Sequence, residues 1–484
     1  MRLPDHASPP VAGLFWLSAG LLVVAVIGGG GQGGRGDMLA QLFALVVLAQ
    51  WWRAKTRNGV IVHQGPAWSL WLVPVVLALP LLQMLPIPMW LWHASPGRRE
   101  IASQLAVVGL SPSPHLGLIP LAAERALWSL LPAIALFVSV LALPKRQQRW
   151  LLGVVLALAL VNVVLGLAQL AQGPDSPLRF YANTNPSEAV GFFANRNHFA
   201  SLLVMALPLT LAGSAWVANQ YAHDAPISPL WVAVGILAAV LLILGIALAR
   251  SRAGLVLGML AVLLSLPAIL TLRKRRGAKR VLTLIVGLGL MLSVQFALFG
   301  ILQRLDTDTL DDGRWHYARI TADAASAHAP LGTGLGGFRQ AFQPFEARAG
   351  QGPTIINHAH DDYLELWLEG SWLALLPLAL LLLALCAIGA RAWFGRQESS
   401  ADDRLVARAV WLSLLLAALH ASVDYPLRTT ADAGVVALLL AVALSHAWPR
   451  APAARTNRIQ VETPPQGTGN IGSGSNVYRL NRSA

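Results

Sequence analysis

Apolar residues occur along this chain in long blocks rather than in the stripes of an amphipathic helix. Twelve blocks can be placed, at roughly 11–29, 38–52, 67–92, 122–143, 148–171, 199–218, 230–249, 255–272, 281–301, 366–390, 405–423 and 431–447. Many approach the roughly 20 residues that a helix needs to cross a bilayer. Uniform apolarity is also the pattern of a helix buried on every side. The pattern therefore predicts an all-α polytopic membrane protein with about twelve transmembrane helices. Its longest polar connection, residues 302–365, falls between blocks nine and ten.

The two ends of the chain read differently. The first block, Val11–Ile27, has no convincing small-residue cleavage site and runs into "GGGGQGGRGD", so it is expected to stay as a first span. From residue 449 onward, "TPPQGTGNIGSGSN" is rich in Gly, Pro, Ser and Asn with no apolar period. That predicts a membrane domain over 1–448 and a disordered tail over 449–484.

Composition agrees with the block pattern. Of 484 residues, 55% are hydrophobic and 12% charged, with mean hydropathy +0.57, against about 25% charged in soluble domains. A soluble multidomain enzyme is excluded. The formal charge of +13 does not indicate nucleic acid, because its densest run, "RKRRGAKR" (Arg273–Arg280), lies between two apolar blocks. Lys and Arg are retained on the cytoplasmic side of a membrane. With the N-terminus inside, all four lysines (Lys55, Lys145, Lys274, Lys279) fall inside, and so does the tail. The 302–365 connection is then a large outer loop. The single cysteine, Cys386, excludes an internal disulfide and any cysteine metal cluster.

The chemistry lies in the outer segments. "GFFANRNHFASLL" sets Asn195, Arg196, Asn197 and His198 at the mouth of the sixth block. These residues suit helix capping and interfacial snorkelling, or a sugar or phosphate ligand. "LARSRAGLV" puts Arg250 and Arg252 in a tight outer turn, where a guanidinium can bind phosphate oxygens bidentately. In "DDGRWHYARI", Arg314 and Arg319 lie five apart, about 140° apart around one helix. Gly332–Gly337 fits G-x-G-x-x-G, but no strand precedes it, so it reads as a tight turn needing glycine. "IINHAHDDYLELWLEG" (355–370) has three readings. His358 and His360 with an aspartate resemble metal ligands, although no H-E-x-x-H spacing or distant cluster completes a set. Asp361 or Asp362 suits a cap for the next helix. Acid–base work by histidine near neutral pH is favoured. In "HASVDYPLRTTA", Asp424 and Arg428 stand at i and i+4, with Pro426 between them weakening a helical pair.

In chain order, "GFFANRNHFA", "SRAG", "DGRWHYARI", "PLGTGLGGF", "HAHDDYLELWLEG" and "HASVDYPLR" resemble the motifs of the O-antigen ligase and O-antigen polymerase family of bacterial envelope glycosyltransferases. They run from Gly191 to Arg428, about half the chain. The resemblance implies about twelve helices, with 1–448 as a glycan-transfer domain in the bacterial inner membrane and its active site facing the periplasm. It implies transfer from an undecaprenyl-diphosphate-linked glycan donor to an acceptor hydroxyl, without nucleotide sugar, metal or other cofactor. A polymerase takes a carrier-linked glycan as acceptor, and a ligase takes the lipid A core. Membrane lipids are the remaining partners, and no nucleic acid is expected. The forms "HAHDDYLE" and "HASVDYPLR" look more like exopolysaccharide polymerases, which makes polymerisation of repeat units the preferred reading and ligation the alternative. A lipid-linked glycan transporter is disfavoured, since polar residues gather in outer loops rather than at the bilayer midplane.

The same resemblance carries roles to particular residues. His360, Arg252 and Arg314 are the catalytic candidates: histidine meets the acceptor hydroxyl, and the arginines meet the diphosphate. Arg196, Asn197, His198, Arg319, Asp361, Tyr363 and Arg428 are substrate-binding candidates. The family pattern follows its histidine with Asn, Ser or Gln, whereas Asp361 stands here. Asp361 is thereby open to three roles: orienting the histidine, adding charge, or altering substrate preference.

Overall fold

Inside a bilayer a backbone N–H or C=O finds no water, so an apolar block must satisfy its own hydrogen bonds as a helix. The computed structural model describes residues 9–31, 33–58, 63–221, 229–270, 313–349, 355–395 and 400–448, with Gly287 and Met291. These all belong to one unit, Met1–Pro449. The basic run Arg273–Arg280, nearly all of the ninth block, the start of the long connection and the tail lie outside the described residues. Among those described there are helices and no strands: α1 Pro9–Gly28, α2 Arg35–Asn58, α3 Leu72–Gln83, α4 Met89–Trp92, α5 Pro96–Val107, α6 Pro120–Leu141, α7 Lys145–Gln172, α8 Arg196–Tyr221, α9 Pro229–Leu248, α10 Arg252–Leu270, α11 Gly313–His328, α12 Phe338–Ala349, α13 Asp362–Phe394, α14 Ala401–His420 and α15 Thr430–Ala447.

Five of these (α6, α7, α8, α13 and α15) are long and apolar enough to cross a membrane. Shorter apolar helices cover Gly13–Gly28, Ala67–Gln83, Ala233–Leu248 and Arg252–Ala268. The chain is a multi-pass membrane protein. Helices α8 and α15 are the most enclosed of the five, and α13 is the most exposed. α15 packs on α6, α14 and α1, and α8 packs on α9, α14 and α10. Their apolar faces share one core. "SRAG" owes its glycine to this packing: a Cβ on Gly254 would stand 2.7 Å from the Ala200 Cβ of α8.

The expected third span, 67–92, is broken. It opens as a 3-10 turn, Ala67–Trp71, continues as α3 and stops at Gln83. Two prolines in "LPIPM" explain the stop: each lacks an N–H and forces the residue before it toward extended backbone. The chain then builds a cap from α4 and α5. Buried Arg98 clamps it, donating to His115 O (3.0 Å), Leu116 O and Gly332 O (2.7 Å). Burial lowers the Arg98 guanidinium to about 10.

A second, smaller core lies under the long connection. Ile320, Ala324, Phe338, Phe342, Ile356 and Ala359 pack with Leu368 of α13. This core seats the stretch 355–361 on the first turns of α13. The turn Gly332–Gly337 closes beside it with Gly332, Gly334 and Gly336 at φ 76, 94 and 76°. That conformation is open to glycine at little steric cost, as expected for a tight turn. α13 itself bends at Ser371, which sits at φ 44°.

Candidate functional site

Three segments far apart in sequence converge on one carboxylate in a fourth. Asp424, in the turn between α14 and α15, is fully buried. Its Oδ2 accepts from Asn197 Nδ2 and its Oδ1 from the Tyr425 amide at 2.9 Å. His360 Nδ1 stands 3.4 Å from Oδ1 and His198 Nε2 4.0 Å from it. Arg314 Nη2 is 3.9 Å from Oδ2, and its Nη1 donates to Val423 O at 3.1 Å. Burial pushes the Asp424 carboxyl up, but His360, His198 and Arg314 outweigh it and hold the group well below the usual carboxylate range. Asp424 is ionised.

His360 is held in an unusual pose. Its backbone lies at φ 55°, a left-handed conformation that costs a non-glycine residue free energy and tends to mark functional sites. Nδ1 faces Asp424 without a formed hydrogen bond, and the side chain keeps 23% of its surface. A carboxylate on the Nδ1 side favours the Nδ1–H tautomer and leaves Nε2, across the ring, as the basic nitrogen.

Tyr425 forms the floor beneath three imidazoles. His358 stacks on it at 4.2 Å between ring centroids, and His198 and His360 meet it edge-on at 4.8 and 5.1 Å. Burial and the Asp424 charge push its phenol up to about 12, against hydrogen bonds with Asn195 and Asn357. The ring therefore stays neutral and packs between charges.

Beside this cluster is a polar-walled cavity of about 550 Å³, reached by His198, Tyr425, Asn195 and Asn357. Its other walls are Asn183, Thr184 and Asn185 of "YANTNP", with Gly30 and Gly31. A Cβ on Gly30 would lie 2.3 Å from Phe192 O, so glycine lets this strip pass against the loop before α8. These wall residues were not singled out in the sequence, where amides in a loop look like ordinary turn formers.

The other site candidates sit elsewhere. Arg428 is taken up by three acids of α13: Glu369 at 2.7 Å, Asp362 at 3.3 Å and Glu365 at 3.5 Å. Burial opposes the Arg428 charge, but the carboxylates prevail and raise its pKa. The i, i+4 partner suggested by the sequence, Asp424, is not among these. Glu365 also accepts from His358 Nδ1 at 2.8 Å and from the Ala359 amide at 2.9 Å. Glu369 accepts from the Gly336 and Phe338 amides at 2.8 and 3.3 Å, which moors the glycine turn. Among the described residues no group of three His, Cys, Asp or Glu is placed to hold a metal ion.

Asp361 caps α13, its carboxylate accepting from the Tyr363 and Leu364 amides at 2.9 and 3.0 Å. Burial raises its pKa in spite of those bonds. Tyr363 donates to Ala418 O at 2.8 Å, tying α13 to α14. Arg196 pairs with Glu188 at 2.6 Å. Arg252 is exposed at the first position of α10, behind Arg250 at φ 49°. Arg319 is exposed on α11 while Arg314 turns inward, as their spacing requires. The acids Asp362, Glu365 and Glu369 fall on one helix face at i, i+3 and i+7. That stripe was a readable sign that a buried cation must face them.

The fold and site define a multi-pass helical membrane protein with a buried Asp–His–Arg cluster at one end of its bundle. Residues 237–379, under a third of the chain, match the family model described as O-antigen ligase. No curated protein matches it. The matched region contains Arg252, Arg314 and His360, whereas Asn197, His198 and Asp424 lie outside it.

Proposed function

We propose that this protein transfers a glycan from an undecaprenyl-diphosphate carrier to an acceptor sugar hydroxyl, polymerising repeat units of an exopolysaccharide or O-antigen. The supporting observation is the convergence of His360, Arg314, His198 and Asn197 on Asp424 beside a polar cavity. The chain would cross the bacterial inner membrane about twelve times, with the 302–365 loop and the site on the periplasmic side and 449–484 in the cytoplasm.

In this reading His360 Nε2 takes the proton of the acceptor hydroxyl as its oxygen attacks the anomeric carbon. Asp424 acts through the ring: it fixes the tautomer and stabilises the imidazolium that forms. The bond from the anomeric carbon to the diphosphate oxygen breaks, and the electron pair leaves with the diphosphate. Arg314 and Arg252 offset that growing charge, where preorganised cations act most strongly. Attack opposite the leaving group inverts the anomeric centre. Asn197, His198 and Arg319 contact the substrates, while Arg196, Asp361, Tyr363 and Arg428 hold the walls in place.

The description of the matching family favours a second reading, ligation of the glycan to the lipid A core. A deletion strain separates the two. Polymerisation is lost when single repeat units remain displayed without long chains, and ligation is lost when the lipid A core carries no chain at all. Intact, full-length display in that strain rules out both. His360→Ala, Arg252→Ala and Arg314→Ala should each lower transfer about a hundredfold or more at wild-type levels of membrane-inserted protein. Undiminished activity in the His360 variant removes that residue from the chemistry.

A further inference from the structure

A groove of about 410 Å³ opens at the end of the bundle away from Asp424. Its walls come from α7, α8 and α14 and are mainly apolar, with Arg146, Arg149 and Asp402 at its polar end. Gly153 of α7 and Gly213 of α8 lie along it. Among the described residues, no atom of a neighbouring element stands within 4 Å of the Cβ position of either. Glycine weakens a helix relative to alanine, and no helix presses on these two as Ala200 presses on Gly254. Both glycines widen the groove instead.

The polar end carries more positive than negative charge. The first turns of α7 hold Lys145, Arg146 and Arg149, where the positive end of the helix dipole disfavours cations. Asp403 takes Lys145 at 2.9 Å and Arg149 at 2.7 Å, and also His446 at 2.8 Å. Among the described residues, no carboxylate stands within 4 Å of the Arg146 guanidinium. Asp402 offsets part of the excess, and Arg404 in the same turn of α14 adds to it. Two helices, α7 and α14, begin here, and helix N-termini favour an anion. Trp150 and Trp216 line the same groove, and tryptophan concentrates at the headgroup level of a bilayer.

Size and position select among occupants. From Arg146 to Leu156, α7 rises about 15 Å, half the depth of a roughly 30 Å hydrocarbon core. A helix of that length, about 10 Å across, would need more than ~1,000 Å³, so the groove is too small for a partner helix. An acyl chain, one methylene wide, fits it. A carrier-linked glycan held here would keep its diphosphate at the far end of the bundle from Asp424. We propose that this groove binds an anionic phospholipid of the adjacent leaflet, with its phosphate on Arg146 and Arg149 and one acyl chain over Gly153 and Gly213. The lipid braces α7 against α8 and α14, the helices that carry Asn197 and lead into Asp424.

The inference needs the membrane fold and not the transfer chemistry. Native mass spectrometry of the full chain in detergent measures it, with dioleoyl phosphatidylglycerol, dioleoyl phosphatidylcholine and undecaprenyl phosphate as probes. Phosphatidylglycerol should bind about fivefold more tightly than phosphatidylcholine, which has the same tails, because a basic residue near an anionic headgroup contributes about that factor. Arg146→Gln, at an exposed position, should remove most of that preference. Gly153→Leu with Gly213→Leu should displace both lipids and keep the wild-type unfolding midpoint in lipid-free detergent, since the new side chains enter open groove. Equal affinity for the two lipids in the wild-type chain overturns the site, and so does phosphatidylglycerol binding that survives the leucines. Undecaprenyl phosphate displacing phosphatidylglycerol, or a dimer that the leucines dissolve, gives the groove to another occupant and overturns it too. If the leucine pair fails to fold, Arg146→Gln decides alone: a preference that persists in full overturns the proposal.

Discussion

His360 combines two demands that a substitution can separate: a left-handed backbone at φ 55° and an imidazole whose Nδ1 faces Asp424. Asparagine visits the left-handed region readily, whereas a β-branched residue resists it. His360→Asn should therefore abolish transfer while leaving the thermal unfolding midpoint nearly unchanged. His360→Val should also lower that midpoint, through about 1–3 kcal/mol of backbone strain. A stable valine variant would mean that the turn relaxes freely, and the pose of His360 would then carry no functional weight. At this scale the sequence was partly legible. The histidine and Arg314 stood in motifs with chemistry of their own. Asp424, which joins them, was readable only as half of a loop charge pair with Arg428. Its importance comes from contacts more than 60 residues away in the chain on every side but its own turn, and no local pattern encodes those. Asp361 was the residue out of pattern, and its observed contacts are those of a helix cap.

At the scale of elements, α13 shows how an apolar block can begin with a charged face. Asp362, Glu365 and Glu369 are buried and all turn toward Arg428, whose guanidinium fork matches carboxylates in a way that an ammonium cannot. Removing one partner of a buried ion pair leaves the other charge uncompensated, at about 3–5 kcal/mol. Arg428→Met should lower the unfolding midpoint sharply, and adding Glu369→Gln should restore part of the loss by discharging one acid. If the double variant is no more stable than the single one, the pair is not coupled as the 2.7 Å contact implies. The Leu- and Val-rich blocks specified helices here because a membrane leaves the backbone no alternative. Block boundaries were less legible. The prolines of "LPIPM" end α3 early, and the chain after them forms the α4–α5 cap instead of finishing a span. The first turns of α13, placed in the loop by their charges, are helical because Asp361 caps them and Arg428 neutralises them.

For the whole molecule, the side assignment by positive charge can be compared with what touches what. Segments assigned outside meet one another: Gly31 with Tyr181, Asn197 with Asp424, His360 with Asp424, and Arg314 with Val423. Segments assigned inside also meet one another: Asp403 holds Lys145 at 2.9 Å, Arg149 at 2.7 Å and His446 at 2.8 Å. Among the described residues, none of these contacts joins an outer segment to an inner one. Lys and Arg stay on the cytoplasmic side because moving them across during insertion is unfavourable. The assignment can be tested with single cysteines in a Cys386→Ala background, so that no native thiol reports. Ser111→Cys lies in the exposed connection before α6, and Lys279→Cys lies in the basic run. A membrane-impermeant maleimide with access to the periplasm should label Ser111→Cys in intact cells, and Lys279→Cys only after the inner membrane is permeabilised. The reverse pattern would invert the whole chain. His360 and Asp424 would then face the cytoplasm, away from a carrier-linked glycan displayed on the outer leaflet, and the proposed transfer could not occur.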